Sequence, residues 1–383
     1  MLCHGENLLK TITLNLRKAA VCLLLFPVLV LLYAEFLHYF LVLGTCTWPR
    51  LEAGPKKKST VMRNDTLRAL IIADPHLLGV RTGHWFDKLR REWQMYRTFQ
   101  TANLLFRPET VFVLGDLFDE GLFSSSADFD RYFHRFQELF SVDFDQEVIV
   151  LPGNHDIGFH YEILPSILRK FRALFHRNST VSRLRVKGFD FVLLNSMAFE
   201  NDGCELCREA QESLARLRAQ MQDDHAPSPR PILMQHFPLY RASDVNCSEP
   251  DEAPPHEKLQ PMRERWDVVS QAATTLILDS LRPRAAFDGH SHNGCKTWHG
   301  APYNFWEYTI SSFSWRNRNN PAFALVSITA DHVLASKCLA PMESTVIWIY
   351  IVTGVLWAFY LALWLLAVKL QKLSIYSSTL KRR

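Results

Sequence analysis

The sequence predicts a layered α/β domain placed between two transmembrane helices. Two apolar runs, at 19–44 and 346–368, are each long enough to cross a bilayer of about 30 Å. Between them, β-branched apolar runs alternate with helical patterns, which is typical of an α/β fold. Polar segments directly follow five of these runs, at the strand ends where open α/β sheets build their sites.

The two apolar runs are interpreted as retained membrane anchors. The first contains only Glu35 and His38 as ionisable residues, and the second contains no charge. The apolar region of a secretory signal peptide is shorter, roughly 7 to 15 residues, so cleavage of the first run is not expected. The 383 residues and 48% hydrophobic content also exceed what one average domain needs.

Basic residues beside the second run predict the orientation. Five of them follow it and only Lys337 lies close before it, so the tail 369–383 is expected in the cytoplasm. Basic residues flank the first run on both sides, so they do not predict its orientation. Because the chain crosses the membrane twice, residues 1–18 are also expected in the cytoplasm. The chain between the spans is then luminal, with a basic linker at 45–66 and one folded domain at 67–340.

Two further features agree with a luminal segment. It contains glycosylation acceptor tripeptides that begin at Asn64, Asn178 and Asn246. It also holds six of the eight cysteines, an even number that permits disulfides in an oxidising compartment. The sequence leaves their pairing open, and the pair with CxxC spacing is interpreted as a structural bridge or two free thiols rather than a redox centre. The six are Cys46, Cys204, Cys207, Cys247, Cys295 and Cys338.

The predicted elements of the domain follow in order. A strand at 69–73 precedes a helix at 83–106, whose stripe at three- and four-residue spacing is interpreted as core. Strand patterns at 303–314 and 322–337 predict a second sheet packed on the first. The stripe consists of Phe86, Leu89, Trp93, Tyr96 and Phe99. Further helical patterns cover 127–140, 207–222 and 262–281.

The segment 242–261 has no periodicity and lies between two of the polar segments. It is predicted to be a surface insertion near the site. Two interpretations stay open: a tolerated, glycosylated loop, which we favour, and an element of substrate specificity.

Five short polar segments hold a full ligand set for two divalent ions. Carboxylate, amide and imidazole groups without thiolate suit manganese, iron or zinc. Such a pair lowers the pKa of a shared water, clamps phosphoryl oxygens and offsets the charge that develops during attack. A carboxylate can bridge two ions about 3.5 to 4 Å apart, and Asp116 is the natural bridge. The segments are 74–76, 115–119, 153–156, 235–236 and 289–292.

Each of these residues, taken alone, is more often structural than functional. Their order and their strand-terminal positions favour a metal site. His160, His256 and His299 also lie near these segments, but their spacing does not single them out, and they are interpreted as surface or supporting residues.

The ordered segments resemble those of the calcineurin-like metallophosphoesterase family, over about Leu67 to His292. The resemblance implies a four-layer αββα sandwich and a dinuclear centre in which Asp116 binds both ions. It also implies that His155 faces the substrate as electrostatic stabiliser or proton donor, and that Asp119 orients it. For the first ion the implied ligands are Asp74, His76 and His292. For the second they are Asn154, His236 and His290.

Two departures narrow the reaction class. Protein phosphatases of this family usually carry Arg after the second aspartate of the Gly-Asp segment and Glu after Gly-Asn-His. This chain has Glu120 and Asp156 there. The departures argue against protein phosphatase activity and favour phosphodiesters.

The run from Glu307 to Pro321 resembles the tail of a membrane-bound branch of the family that remodels glycosylphosphatidylinositol (GPI) anchors. The resemblance implies removal of the ethanolamine-phosphate branch from the second mannose, with manganese as the metal. It also implies GPI-anchored proteins as partners at endoplasmic reticulum (ER) exit sites, the ER–Golgi intermediate compartment and the cis-Golgi. ER export machinery would be a further partner, and no nucleic acid is expected. Arg316 and Arg318 would either grip a phosphate or cap the sheet.

Two rival functions stay open. A luminal phosphodiesterase acting on a sphingolipid head group or a nucleotide diester would use the same ligands and differ in the surrounding walls. A non-enzymatic cargo receptor would be expected to have lost at least one ligand, whereas this chain retains them all.

Overall fold

A computed structural model describes residues 2–50, 66–143, 145–176, 179–223 and 229–380. Asn64, Asn178 and most of the predicted linker lie outside these residues. The chain divides into two units: Val42–Ala340, and a terminal unit of Met1–Leu41 with Pro341–Arg383.

The helices and strands alternate through most of the larger unit. The helices are α1 (Leu2–Leu32), α2 (His38–Leu43), α3 (Trp85–Phe106), α4 (Ser126–Leu139), α5 (Asn154–Ile157), α6 (Pro165–Phe175), α7 (Glu205–Asp223), α8 (Pro255–Lys258), α9 (Gln271–Leu281) and α10 (Glu343–Leu380). The strands are β1 (Leu67–Ile72), β2 (Thr110–Val113), β3 (Glu147–Val150), β4 (Val181–Val186), β5 (Phe189–Leu194), β6 (Ile232–Met234), β7 (Ala285–Asp288), β8 (Cys295–His299), β9 (Phe305–Thr309), β10 (Ala322–Ile328) and β11 (Val333–Leu339).

The strands in the described part of the chain form two sheets, so a second sheet exists as predicted, but the prediction that the patterns at 303–314 and 322–337 form it is wrong for 322–337. The first has the order β11-β10-β1-β2-β3 and the second β4-β5-β6-β7-β9-β8. In the first sheet β1, β2 and β3 are parallel, and in the second β5, β6, β7 and β9 are parallel. The C-terminal strands divide between the sheets, because β9 joins the second while β10 returns to pair with β1.

The two sheets pack face to face over one apolar core. Ile71 and Phe112 of the first sheet lie in the same cluster as Phe191 and Phe287 of the second. The rings of Phe112 and Phe191 are 4.9 Å apart. Strand residues that point to the opposite face of a sheet, such as Leu70, belong to a second cluster, which they form with residues of the helices. Both faces of each sheet are thus covered, which explains why the strands are apolar throughout and confirms the four-layer αββα arrangement.

The interpretation of the apolar stripe of α3 as core is wrong in the first turns of the helix. Phe86 and Leu89 are 56% and 57% exposed, and the buried face passes through Gln94, Met95 and Phe99 instead. The Gln94 side chain donates to the Phe313 carbonyl (3.3 Å) and accepts from the Trp315 amide (3.1 Å). A buried polar residue therefore fixes the rotation of the helix, and a hydrophobic pattern does not reveal it.

The helix predicted at 262–281 begins only at Gln271. Ser270 caps it, because its hydroxyl accepts from the Ala273 amide at 3.2 Å. Residues 263–267 form a separate turn in which the Asp267 carboxylate accepts from the Arg263 amide at 2.9 Å. Apolar residues on both sides of this turn fit a helical pattern, so the sequence pattern does not reveal the turn.

A disulfide and a buried ion pair fix the predicted insertion at 242–261 to the domain. A disulfide joins Cys247 to Cys295 at the start of β8. The Asp251 carboxylate forms a buried ion pair with Lys337 of β11, at 3.0 Å. The insertion contains the short helix α8, and Asn246 within it is exposed. Glycosylation of Asn246 stays a prediction.

The structure assigns the cysteine pairs that the sequence left open. Cys204 pairs with Cys207, so this pair forms a bridge rather than two free thiols. Cys46 pairs with Cys338, 292 residues apart in the chain. Together with Cys247–Cys295, all six cysteines of the predicted luminal segment are bonded.

Among the described residues, two helical stretches are long and apolar enough to cross a membrane, and they lie mainly in the terminal unit: Asn15–Leu43 and Glu343–Ser374. Their helices bond through side chains: the indole nitrogens of Trp357 and Trp364 donate to main-chain carbonyls of α1, at 2.8 and 3.0 Å. Tyr350 donates to the Glu35 carboxylate, which lies in a π-helical turn between α1 and α2. The cytoplasmic orientation of the termini stays a prediction.

Candidate dinuclear metal centre

All five predicted ligand segments follow the carboxyl ends of parallel strands, as the sequence predicts. β1, β2 and β3 lead to three of them in the first sheet, and β6 and β7 lead to the other two in the second. Because these ends meet at one edge of the sandwich, the structure brings the seven predicted ligands together there. They are Asp74, His76, Asp116, Asn154, His236, His290 and His292.

Five of the seven predicted ligands have left-handed backbone conformations. Their φ angles are +51° at Asp74, +47° at His76, +49° at Asp116, +66° at His290 and +58° at His292. Residues other than glycine rarely occupy this region, and each such conformation costs of the order of 1–3 kcal/mol. The surrounding structure must therefore hold these turns in place, which is typical of functional sites.

Two motif glycines are required by close packing against the predicted carboxylate ligands. A Cβ atom on Gly153 would lie 2.1 Å from Asp116 Oδ1, and one on Gly289 would lie 2.6 Å from Asp74 Oδ2. Neither approach is possible for a residue with a side chain. The glycines thus let neighbouring segments close around the carboxylates.

Four residues form the first half of the centre. Ligand atoms of Asp74, His76, Asp116 and His292 all lie within 4.8 Å of one another. The Nε2 atoms of His76 and His292 are 3.1 Å apart. The Asp74 carboxylate is held by the His290 amide, at 2.9 and 3.1 Å.

The second half contains three further predicted ligands. His236 Nε2 lies 3.2 Å from Asn154 Oδ1 and 3.4 Å from Asp116 Oδ2. His290 completes this group, within 4.8 Å of Asp116 and His236. The Nδ1 atom of His290 is buried without a hydrogen-bond partner, so its lone pair is available to a ligand.

Asp116 is common to both halves. Its Oδ2 atom lies 3.5 Å from His76 Nε2 and 3.4 Å from His236 Nε2, whereas Oδ1 accepts from the His155 amide at 2.8 Å. The side chain is 1% exposed. One carboxylate oxygen thus faces both groups, which is the geometry that a bridging ligand requires.

Supporting contacts fix the ring orientations. The Nδ1 atom of His236 is 2.7 Å from the Leu114 carbonyl, which directs Nε2 inward. The Nε2 atom of His290 is 2.6 Å from the Trp266 carbonyl, which directs Nδ1 inward. Partners of this kind set the tautomer of ligating histidines. Sequence reasoning missed both, because a main-chain carbonyl has no side-chain signature.

The electrostatics of the cluster fit a bound cation. Burial would raise the pKa of Asp116, but His236 and His76 hold it well below its usual range. Burial would lower the pKa of His236, but Asp116 and Asp74 raise it to about 9. Burial lowers the pKa of His290 to about 3, which keeps its ring neutral and able to ligate. The negative field that retains a proton at His236 would equally favour a divalent cation in its place.

Asp119 contacts His155 through its main chain, and its carboxylate has a different partner from the one expected. The Asp119 carbonyl lies 3.0 Å from His155 Nδ1. The carboxylate lies 3.3 Å from His76 Nδ1 instead, and it accepts from Arg316 at 3.3 Å. The carboxylate is therefore placed to orient a predicted ligand, and the ring of His155 lies 4.7 Å from that of His76.

The two arginines of the C-terminal run have different surroundings. Arg316 reaches Asp119 at the rim of the cluster, with 38% of its side chain exposed. Arg318 donates to the His292 carbonyl at 3.4 Å and also to Asn293. Arg316 can therefore meet a substrate anion, while Arg318 supports the segment that carries His292.

The two departures from the protein phosphatase pattern have structural roles. The Glu120 carboxylate accepts from the Arg81 amide at 3.0 Å and so holds the loop after β1. The Asp156 carboxylate accepts from the amides of Phe118 (3.0 Å) and Gly153 (2.8 Å), which joins two ligand segments. Burial and the charge of Asp116 raise the pKa of Asp156 to about 7.

Comparison with known proteins shows the family to which the chain belongs. The calcineurin-like phosphoesterase family matches residues 67–294. Metallophosphoesterase 1 of chicken is 44% identical over 93% of each chain, and the Metallophosphoesterase 1 homolog of Caenorhabditis elegans is 42% identical over 87% of this chain and 88% of its own. The crystal structure of a dimetal phosphatase from Danio rerio is 14% identical, with a TM-score of 0.43 over 72% of this chain and 99% of that one.

The fold, the cluster and the relatives support a metal-dependent phosphoester hydrolase with two divalent ions. Its candidate membrane helices are consistent with a membrane protein. The chain belongs to the calcineurin-like phosphoesterase family.

Proposed function

We propose that this chain is a dinuclear-metal phosphodiesterase that removes the ethanolamine-phosphate branch from the second mannose of GPI anchors. The observation that carries the catalytic part is the convergence of six other predicted ligand side chains around Asp116. The substrate is supported by the resemblance of the C-terminal run to the anchor-remodelling branch. A membrane-anchored enzyme would also meet a lipid-linked substrate at high local concentration.

The ligand assignment follows the two halves of the cluster. Asp74, His76 and His292 would hold one ion, and Asn154, His236 and His290 the other, with Asp116 shared. When bound, the ion pair supplies an activated water and neutralises charge on the phosphoryl group. Manganese is proposed as the metal, since the oxygen and nitrogen donors suit it, although zinc or iron would fit the same donors.

His155, protonated at both ring nitrogens, is proposed to donate its Nε2 proton to the sugar oxygen that leaves. The Asp119 carbonyl contacts its Nδ1 atom and so turns Nε2 away from the main chain. The His155 amide donates to Asp116, which ties the position of the ring to the centre. A positioned histidine of this kind contributes about 10²–10⁴-fold to a reaction rate.

Arg316 is proposed to bind the phosphoryl group. Protein phosphatases supply a cation at the position that Glu120 occupies here, and Glu120 is turned to a loop amide instead. Arg316 belongs to the C-terminal run, and its guanidinium contacts Asp119, the residue that directly precedes Glu120. An arginine would thus still contact the phosphoryl group, although it comes from a different part of the chain.

The proposed cellular setting is the lumen of ER exit sites, the ER–Golgi intermediate compartment and the cis-Golgi. GPI-anchored proteins would be the substrates, and their export would depend on the reaction. ER export machinery is a further proposed partner.

Mass analysis of a released anchor glycan, before and after exposure to the full-length enzyme, tests the proposal. The expected result is loss of one ethanolamine-phosphate unit with wild-type protein and no loss with Asn154→Ala or His292→Ala. His256→Ala is the matched control, because the His256 side chain is 75% exposed. An unchanged glycan together with turnover of a sphingolipid head group or a nucleotide diester would overturn the substrate assignment but not the site. Preserved turnover in both ligand variants would overturn the site.

A further inference from the structure

An exposed apolar patch lies at the start of α3 and on the neighbouring loop. Its members are between 56% and 67% exposed, which is unusual for large apolar side chains that lie together. The Arg81 guanidinium lies 5.8 Å from the Phe123 ring and joins the two parts. We call this the α3 patch, and it consists of Val80, Trp85, Phe86, Leu89 and Phe123.

The charges around the α3 patch are mainly basic. Arg81 and Lys88 lie among its members in the sequence, and Asp87 is paired with Arg91 at 3.1 Å. Tryptophan, phenylalanine and leucine interleaved with basic residues are typical of surfaces that lie in the interface of a lipid bilayer.

The α3 patch borders the metal centre. The Thr82 hydroxyl, between Arg81 and the helix, donates to the Asp119 carboxylate at 3.2 Å. One turn into α3, the Arg90 guanidinium lies 5.2 Å from the ring of Trp315, next to Arg316. The patch and the centre therefore share one edge of the domain.

The chain also leaves the domain at this edge. The Ala340 amide donates to the Pro321 carbonyl (2.7 Å), Ala322 donates to Ser312 (3.3 Å), and Ser312 donates to the carbonyl of His292 (3.2 Å). The apolar run predicted to cross the membrane begins at Val346, six residues after Ala340. A bilayer that holds this run is within reach of the edge that carries the centre.

We propose that the α3 patch docks onto the lipid bilayer, so that the metal centre opens toward the head-group layer. The occupant is a phospholipid surface. Trp85, Phe86 and Leu89 would enter the interface and Lys88 would lie near lipid phosphates. The docking itself follows from the patch and the chain exit, whereas its benefit for catalysis rests on the proposed function.

Depth-dependent quenching tests the docking. A fluorescent label is placed at Leu89→Cys in full-length protein with Cys3 and Cys22 changed to Ser, reconstituted in phosphatidylcholine nanodiscs with brominated acyl chains. Leu104→Cys is the matched control, because Leu104 is 59% exposed on the same helix, about 22 Å further along it. The expected result is loss of emission at position 89 and none at 104. Equal emission at both positions, with or without bromine, would overturn the proposal, since a protein partner or no partner would then cover the patch.

Turnover provides a second, independent test. Leu89→Glu should lower kcat/KM for a bilayer-embedded anchor about tenfold, equivalent to ~1.4 kcal/mol, with no comparable loss for a soluble phosphodiester. Leu104→Glu should lower neither. An equal loss on both substrates would contradict docking and indicate damage to the fold. If the wild-type protein cleaves no anchor, the proposed function fails while the quenching result still decides the docking.

Discussion

The two sheets contribute different chemistry to the same centre. Segments after the first sheet carry both carboxylates and the amide, at Asp74, Asp116 and Asn154, together with His76. The predicted ligands in the segments after the second sheet are all histidines. Neither sheet holds a complete set, so the centre exists only where the sheets are packed together.

The contribution of carboxylates by one sheet and histidines by the other follows from electrostatics. Burial raises the pKa of Asp74, and the charge of Asp116 raises it further, while His236 of the opposite sheet lowers it. Two buried carboxylates placed close together need a positive charge between them. His236 of the second sheet and the proposed ions supply it, which couples metal binding to the packing of the sheets.

Changing the shared carboxylate should have the largest effect. Asp116→Asn should abolish turnover and lower the bound metal from two equivalents, because one oxygen faces both halves. Turnover assays and metal analysis of the purified protein measure this. His236→Ala, which alters one half, should leave one equivalent bound. If Asp116→Asn kept two equivalents and full activity, the shared role would be wrong.

Weakening the packing between the sheets should have the second-largest effect. Phe112→Ala removes a fully buried ring at the interface between the two sheets, called the seam below, and should lower the free energy of unfolding by about 3–5 kcal/mol. Phe123→Ala is the matched control, since an exposed ring should change stability by no more than about 0.5 kcal/mol. Thermal unfolding gives both values. Comparable losses in the two variants would show that the seam has no special contribution.

Metal should stabilise both sheets together. At a free Mn²⁺ concentration 100 times the dissociation constant, the gain expected from one site is about 2.7 kcal/mol. Chelation should reverse it, and Asp116→Asn should show less of it. A melting temperature unchanged by Mn²⁺ would contradict the coupling.

Of the two metal sites, removal of the Asp119 carboxylate should weaken only the first. Asp119→Ala leaves the main-chain contact with His155 but takes away the carboxylate that lies 3.3 Å from His76 Nδ1. Loss of a group that supports a ligating histidine typically lowers metal affinity or activity about 10- to 100-fold. Titration with Mn²⁺ should show one weakened and one unaffected site. Equal weakening of both sites would argue against this division.

The smallest effect is expected far from the seam. Asn246→Gln should remove one endoglycosidase-sensitive shift in gel mobility without changing turnover of a soluble substrate, because the residue is exposed on the insertion. A protein whose mobility does not respond to endoglycosidase would count against the luminal topology.

The sequence predicted the features that depend on local pattern. The five strand ends, the polar segments that follow them and the existence of a second sheet could be read from apolar runs and motif order, whereas the choice of the seven ligands came from the family resemblance. It could not show that Gln94 fixes the rotation of α3, which left Phe86 and Leu89 assigned to the core. Nor could it show that the Asp119 carboxylate turns to His76, because that contact depends on how two loops pack.

The central claim is that Asp116 joins two ions at the seam between the sheets. Electron paramagnetic resonance of the full-length protein loaded with two equivalents of Mn²⁺ tests it most directly. The account predicts a spin-coupled pair in the wild type that is lost in Asp116→Asn. Signals of isolated Mn²⁺ ions only, in the wild-type protein, would contradict it.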